Sequence, residues 1–350
     1  MEQRKVDYLL VGQGIAGTML SFFLQQAGKT VLVMDEGKAN SASRVAAGII
    51  NPVSGRRFEP AWMYDTIYPF AKATYHQMGA LLGEDVFTER DIWMVFPSEQ
   101  MQQAFKTKTA GVHPSPYTTD PQEDRFAGWL QQPHGAAIVK GATLQLRTLL
   151  PAYRQYLLAT RSLLEQRLDY RLLEVTDNGV TYQGVKADKI IFCDGVATTN
   201  NPWFEKLTFL PNKGEVLLVK IPGLITADII KKGITLVPQE PEIFWAGSSF
   251  VWDYADDHPT AAQGAKLEES LRQLLMVPYE ILDQLAAVRP SGNDRRPMIG
   301  MHPQQTAIGI FNGLGTKGCS LAPFMAHHFV QHLVGHSPLM PEVDIKRYFK

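Results

Sequence analysis

The chain has 350 residues, 45% of them apolar and 20% charged, and a formal net charge of −1. That length exceeds one ordinary hydrophobic core and implies about two domains. The balanced charge removes any bulk pull toward nucleic acid or an anionic membrane, so a nucleic-acid partner is disfavoured and only local basic patches could serve one. The two cysteines, Cys193 and Cys319, cannot build a disulfide framework and lack zinc spacing. With no signal-like segment and no apolar run of eighteen residues, a cytoplasmic protein with no membrane partner is expected.

The opening carries the strongest pattern. Val6 to Val11 is an apolar run, Gly12-Gln13-Gly14-Ile15-Ala16-Gly17 follows, Thr18 to Ala27 suits a helix stopped by Gly28, and Thr30 to Met34 is a second strand ending at Asp35. This is a dinucleotide-binding βαβ unit: Gly12 permits the sharp turn, Gly14 lets backbone approach a pyrophosphate, and Gly17 lets the helix pack on the sheet. The helix N-terminus offers unpaired N–H groups to the phosphates. Asp35 stands eighteen residues past Gly17, where a carboxylate takes up ribose hydroxyls.

Ser41 to Asn51 is small and glycine-containing, so a flat ring can lie against its backbone. Ala61 to Leu82 has helical periodicity closed by Gly83, while Thr88 to Thr119 predicts strands and loops. Thr143 to Gln166 reads as a long helix broken near Pro151. Tyr170 to Val175, Gly179 to Tyr182 and Lys189 to Cys193 are short strands, the last returning to the nucleotide sheet at Asp194-Gly195. Val216 to Val237 and Ile243 to Phe250 add strands, and Ala265 to Leu275 a helix. Near the end Thr306 to Phe311 is strand-like, Gly313-Leu314-Gly315-Thr316-Lys317-Gly318 repeats the glycine spacing, and Cys319 to Val334 is helical. The chain has no room afterwards for another strand bearing an acid, so this turn is expected to serve the same nucleotide, its helix N-terminus facing negative charge.

Other groupings say less. His327, His328, His332 and His336 share the terminal helix, and His328 with His332 has the spacing of a metal pair, but no carboxylate or thiolate accompanies them, which favours a solvated face and no metal. Arg56-Arg57 suits a surface loop or an anionic tail, and Asp294-Arg295-Arg296 local ion pairing.

In this order the pieces resemble the D-amino-acid-oxidase and glycine-oxidase family of FAD-dependent oxidoreductases. The resemblance is carried by Gly12 to Gly17 with Asp35, Ala42 to Gly48, Ile190 to Gly195, Lys213-Gly214-Glu215, Val288-Arg289-Pro290 with Asp294, Pro297, Ile299 and Gly300, and Gly313 to Gly318 before Leu321-Ala322-Pro323. It implies an α/β fold: a Rossmann-like FAD-binding domain over 1–80, 138–210 and 287–350, and a discontinuous, β-sheet-based α+β substrate domain over 81–137 and 211–286. It further implies hydride transfer from the C–N bond of a small amino acid or N-substituted glycine to flavin N5, with hydrolysis of the imine. FAD would contact Gly12, Gly14, Ile15, Ala16, Gly17, Asp35, Glu36, Ser43, Arg44, Ala46, Ala47, Gly48, Val175, Asp194, Gly195, Gly313, Leu314, Gly315, Thr316, Lys317 and Gly318. Arg289 would hold the substrate carboxylate, as a planar two-pronged donor can; Lys317 would sit beside the flavin N1–C2=O edge, and Asn51 would be the polar group against the ring.

Departures from the family pattern are informative. Glycine oxidases carry a further arginine where this chain has Thr316, and the cysteine that attaches flavin in sarcosine oxidases is absent, so FAD is expected to be non-covalent. A pocket-closing tyrosine has no match near Thr235, and an oxygen-activating lysine is replaced around Trp245. The C-terminal turn and Arg296 to Gly300 also resemble the oxidase half of the bifunctional enzyme acting on carboxymethylaminomethyl groups of tRNA wobble uridine. A tRNA-modifying oxidase and a non-catalytic flavoprotein module are therefore the alternatives, and the oligomeric state is left open.

Overall fold

Leu9 and Leu10, adjacent in β1 (Arg4–Val11), are both fully buried and enter different cores, so β1 is a central strand covered on both faces. The computed structural model describes residues 4–54, 58–109, 116–176 and 178–349. After β1 come α1 (Ile15–Gln26), β2 (Val31–Met34), α2 (Ala42–Val45), β3 (Ile49–Ile50), a small hairpin of β4 (Val53–Ser54) and β5 (Glu59–Pro60), and α3 (Tyr64–Leu82). The chain continues through β6 (Phe87–Val95), α4 (Glu99–Thr109), β7 (Thr118–Thr119), β8 (Ala136–Leu144), α5 (Leu146–Ala159), β9 (Leu163–Leu164), β10 (Leu173–Thr176), β11 (Gly179–Tyr182) and β12 (Val185–Phe192). Its second half holds β13 (Asn212–Lys220), β14 (Ile229–Lys232), β15 (Ile234–Glu240), β16 (Ile243–Gly247), α6 (Ala261–Arg272), β17 (Glu280–Arg289), β18 (Met298–Met301), β19 (Ile308–Asn312) and α7 (Gly318–Gly335).

Two sheets organise these elements. In the first, β9, β2, β1, β12 and β19 run parallel, with β18 antiparallel on β19 and the β10–β11 hairpin on the start of β12. The expected βαβ unit is present, and its glycines have steric reasons: a Cβ on Gly17 would lie 1.9 Å from the Gly12 carbonyl oxygen, and one on Gly12, at φ +102°, 2.6 Å from that of Cys193. The second sheet runs β17-β13-β16-β15-β14-β6-β8-β3, with β7 beside β8. Alternation splits it cleanly: Ile230 and Leu217 pack with Leu267 and Leu271 of α6, whereas Ile229 and Val216 face the opposite side with Val45 and Trp245.

Several expectations need correction. Glu99–Thr109 is the helix α4, inside the window read as strands and loops. Pro151 does not break α5: it is the sixth helical residue, as Pro69 is in α3 and Pro323 in α7, near enough to each N-terminus that little of the hydrogen-bond ladder is lost. The helix ends instead at Ala159, followed by Arg161 at φ +54°. Strands β17 and β18 were not anticipated, and β8 stays in the second sheet through Leu144, so the return to the first sheet comes at α5 rather than at residue 138.

Candidate cofactor and substrate site

A cavity of about 1250 Å³ lies between the two sheets, larger than the several hundred Å³ typical of one small ligand. Two helix N-termini open into it: α1 through Gly14, Ile15 and Ala16, and α7 through Leu314 to Ser320. Neither helix has an acidic residue in its first turn, and α1 packs against α7 because β19 lies beside β12 in the same sheet. Both ends therefore favour negative charge in one space. Ser43 Oγ accepts the Ile15 N–H at 3.0 Å, tying α2 to the glycine turn.

Asp35 is held before any ligand arrives. Its carboxylate accepts the N–H groups of Gln13 and Gly37, both at 2.8 Å, and the Arg154 guanidinium at 2.8 Å. That uses three of about four acceptor positions and leaves one for a ribose hydroxyl. Arg154, from α5, gave no signal in the sequence because only the packing of α5 brings it there. Glu36 is exposed at the cavity margin. Across the turn, Asp194 takes a hydrogen bond from the Thr198 hydroxyl, and burial pushes its pKa up to about 6. Thr198 also receives Asn312 Nδ2 at 2.8 Å, which binds the ends of β12 and β19 together.

The opposite wall starts at the segment 45–51. Gly48, at φ +75°, lies so close to β8 that a Cβ would meet the Leu144 oxygen at 1.9 Å, and Trp245 Nε1 donates to the Val45 carbonyl at 2.8 Å. Arg44, Ala46 and Ala47 line the cavity with Asn51, whose Oδ1 accepts the Val53 N–H at 3.0 Å and whose amide nitrogen has no partner among the described residues. Thr235 and Trp245 line it as well.

Arg289 ends β17 and points into this wall. Nη1 donates to Asn212 Oδ1 at 2.7 Å, Nη2 to Ser248 Oγ at 2.8 Å, and the Phe250 ring centroid lies 4.5 Å from Cζ. All these partners are neutral. Burial lowers its pKa to about 10, which leaves it protonated at neutral pH and without an anionic partner among the described residues. Lys317 precedes α7 and opens into the cavity; burial of part of the side chain, then Arg296 and Arg295, lower its pKa.

Most of the anticipated contact residues line one cavity: Gly12, Gly14, Ile15, Ala16, Asp35, Glu36, Ser43, Arg44, Ala46, Ala47, Gly48, Asn51, Asp194, Gly195, Arg289 and Leu314 to Gly318. Gly17 and Gly313 stand behind its wall as packing positions. Val175 does not reach it; the segment Gln166 to Tyr170 lines that side instead. Lys231 and the ion pair Lys38–Asp257 also line it and were missed, since nothing local distinguishes them from surface lysines and acids.

The terminal histidines form neither a metal pair nor a solvated face. His327 packs on Phe23 and Phe70, His328 Nε2 accepts the Met340 N–H at 3.0 Å, and His332 Nδ1 lies 2.7 Å from the Ser337 carbonyl; only His336 is exposed. Asp294 pairs with Arg347 at 3.1 Å rather than with its neighbours, and Arg296 lies over the Trp62 ring at 4.3 Å. Arg56 and Arg57 lie outside the described residues.

A parallel sheet with a glycine turn, two converging helix N-termini and a β-sheet wall bearing an unbalanced arginine define a dinucleotide-dependent oxidoreductase architecture. The chain belongs to the DAO family of FAD-dependent oxidoreductases, whose model matches residues 7–332. FAD is accordingly its cofactor, and the glycine turn, both helix ends and Asp35 fit one. Among relatives, the tRNA 5-methylaminomethyl-2-thiouridine biosynthesis bifunctional protein MnmC of Idiomarina loihiensis is 24% identical over 374 residues, covering 97% of this chain and 58% of that protein. The chain thus spans little more than half of that relative. The glycine oxidase of Pseudomonas putida is 21% identical, covering 95% of each chain. Iminodiacetate oxidase from Chelativorans sp. BNC1 superposes with a TM-score of 0.77 at 17% identity, covering 97% of this chain and 98% of that one, which shows a shared fold. Among the described residues no helix is long and apolar enough to cross a membrane.

Proposed function

We propose that this protein oxidises the C–N bond of a small amino acid or N-substituted glycine, with non-covalent FAD. The observation that carries the reading is Arg289: a half-buried guanidinium fixed, among the described residues, by neutral groups alone, on the wall facing the cofactor turns, where a carboxylate would complete it. FAD, when bound, supplies the hydride acceptor. Arg289 fixes the carboxylate and so orients the carbon next to nitrogen. The α7 N-terminus and Lys317 offer positive potential to the negative charge that reduction creates, and on the opposite wall the Asn51 amide nitrogen, without a partner among the described residues, is a donor. Cys193 and Cys319 line the cavity, yet burial raises the pKa of both thiols, that of Cys319 to about 12, which keeps them protonated and supports a non-covalent cofactor.

The test is anaerobic titration of the yellow protein with glycine, sarcosine, proline and D-amino acids. One of them should bleach the flavin, acid precipitation should release it, and Arg289→Lys should weaken that substrate by ~30-fold or more, the cost of breaking a buried charge contact. A protein that is colourless and refuses added FAD would sink the reading. A second reading, oxidation of a carboxymethylamino group on tRNA, draws on Arg295 and Arg296 close to Lys317, which lines the cavity, and on the similarity to MnmC. It is favoured if small amines leave the flavin oxidised while tRNA bleaches it.

A further inference from the structure

On the wall that carries Arg289 the cavity holds another cation without a counter-charge among the described residues. Lys231 lies in β14, opposite Thr235 of β15 and beside Met94 of β6, and shares its face of the sheet with Ile229 in the apolar cluster that contains Trp245 and Val216. Its side chain lines the cavity, and no hydrogen bond or ion pair reaches it among the described residues. The acids around the cavity are engaged elsewhere: Asp35 with Arg154, Asp257 with Lys38, Asp169 with Arg171 and Asp194 with Thr198, while Glu36 is exposed at the far sheet. Desolvation by its apolar surroundings lowers the pKa of Lys231. An unpaired ammonium in such a wall is costly unless a ligand completes it.

Strand registers place it relative to Arg289. The pairs Lys231–Thr235, Thr235–Gly247 and Gly247–Val216 form one row across β14, β15, β16 and β13, and the Arg289 guanidinium lies over Gly214, two residues along β13. Three strand spacings, roughly 14 Å, separate the Lys231 backbone from that of β13 beneath the guanidinium, and Arg289 itself starts one strand further, in β17. The side chain of Lys231 spans only part of that distance, so a ligand with a negative group at each end fits between the cations.

We infer that Lys231 is a second anion-binding residue of the substrate cavity and that the substrate is a dianion, an amine bearing one carboxylate for Arg289 and a second acidic group on its other arm. This rests on the reading of Arg289 given above. Thr235, small where a large side chain would fill the space, leaves the path between the cations open.

Two thioethers test it by calorimetry on the FAD-loaded protein: thiodiacetate, a dianion, and methylthioacetate, a monoanion, neither with an amine to oxidise. The wild type should bind thiodiacetate at least tenfold more tightly. Lys231→Met should erase that preference and leave methylthioacetate within about twofold, whereas Lys231→Arg should keep it. An unchanged preference in Lys231→Met overturns the proposal, as does a lysine whose loss slows only reoxidation of the reduced flavin by oxygen. Should Lys231→Met lose flavin or stability, Lys231→Gln, which keeps most of the stem, takes its place under the same criteria. Arg289→Lys is run in parallel: if it weakens neither ligand, the carboxylate reading itself fails, independently of Lys231.

Discussion

The guanidinium of Arg289 fills the space that a side chain at Gly214 would take. A methyl group at 214 would sit 1.8 Å from Nη2 and 2.3 Å from Cζ, and the register of β13 with β17 sets Asn212 opposite Arg289 to receive Nη1. Gly214 is thus an absence of side chain that the arginine occupies.

Gly214→Ala is therefore expected to fold, because position 214 has no positive φ and alanine fits an extended strand. It should retain FAD while displacing Arg289, with carboxylate ligands weakened by ~30-fold or more. Flavin content and the dissociation constant of methylthioacetate check both halves; an unaltered constant would mean that the arginine does not bind the carboxylate.

Lys38 and Asp257 meet at 2.5 Å across the cavity margin, Lys38 from the loop after β2 and Asp257 from the loop before α6. Lys38 holds the Asp257 carboxyl below its ordinary pKa. An exposed pair of this kind is worth about 0.2–1 kcal/mol. Asp257→Asn should leave global stability nearly unchanged yet speed flavin release by up to ~5-fold, and high salt should do the same to the wild type. Stopped-flow release in both proteins is the measurement.

Lys213 and Glu215 are almost wholly buried, 3.1 Å apart, in the same strand as Gly214. Glu215 also accepts the Thr260 N–H at 2.7 Å and Gln284 Nε2 at 2.8 Å, while Lys213 donates to the His258 carbonyl at 2.7 Å. This network pins the loop before α6 to β13. Glu215→Gln strands a buried ammonium and should cost about 3–5 kcal/mol in urea unfolding, whereas the double substitution Lys213→Met with Glu215→Leu, which removes both charges together, should cost less.

Asp194 gives a pH dependence of definite sign. Its folded pKa of about 6 exceeds the ordinary 3.8, with burial as the main cause and the Thr198 hydroxyl partly opposing it. The folded state then holds the proton more tightly, so this contribution is complete below pH ~4 and is lost as pH rises through about 6. The loss is on the order of 2–3 kcal/mol. Asp194→Asn should flatten that part of the stability profile between pH 4 and 7; a profile as steep as that of the wild type would remove Asp194 as its source.

Elements whose formation is local were legible in the chain. Gly12, Gly14 and Gly17, the C′ glycines Gly28 and Gly83, and the turn from Gly313 to Gly318 all appeared where the sequence places them. α4 was not, since its polar residues from Glu99 to Thr109 give a weak apolar stripe, and β17 was not, since its first half, Glu280 to Asp283, is exposed and shows no buried alternation. The histidines of α7 misled because their ring contacts come from α1, α3 and the chain end near Met340.

The amino-acid order alone determined the nucleotide half: a glycine that must turn, a glycine that must admit backbone and an acid at the end of the next strand act within forty residues, where chain connectivity guarantees proximity. The family resemblance singled out Arg289, but only the tertiary structure showed which charges of the cavity's other wall lack a partner. Whether an arginine or lysine keeps its charge unbalanced depends on which acids the fold brings near it, and among the described residues no carboxylate pairs with Arg289 or Lys231, while Asp35 and Asp257 of the same cavity pair with Arg154 and Lys38. Charge compensation acts through space, and no spacing along a chain records it.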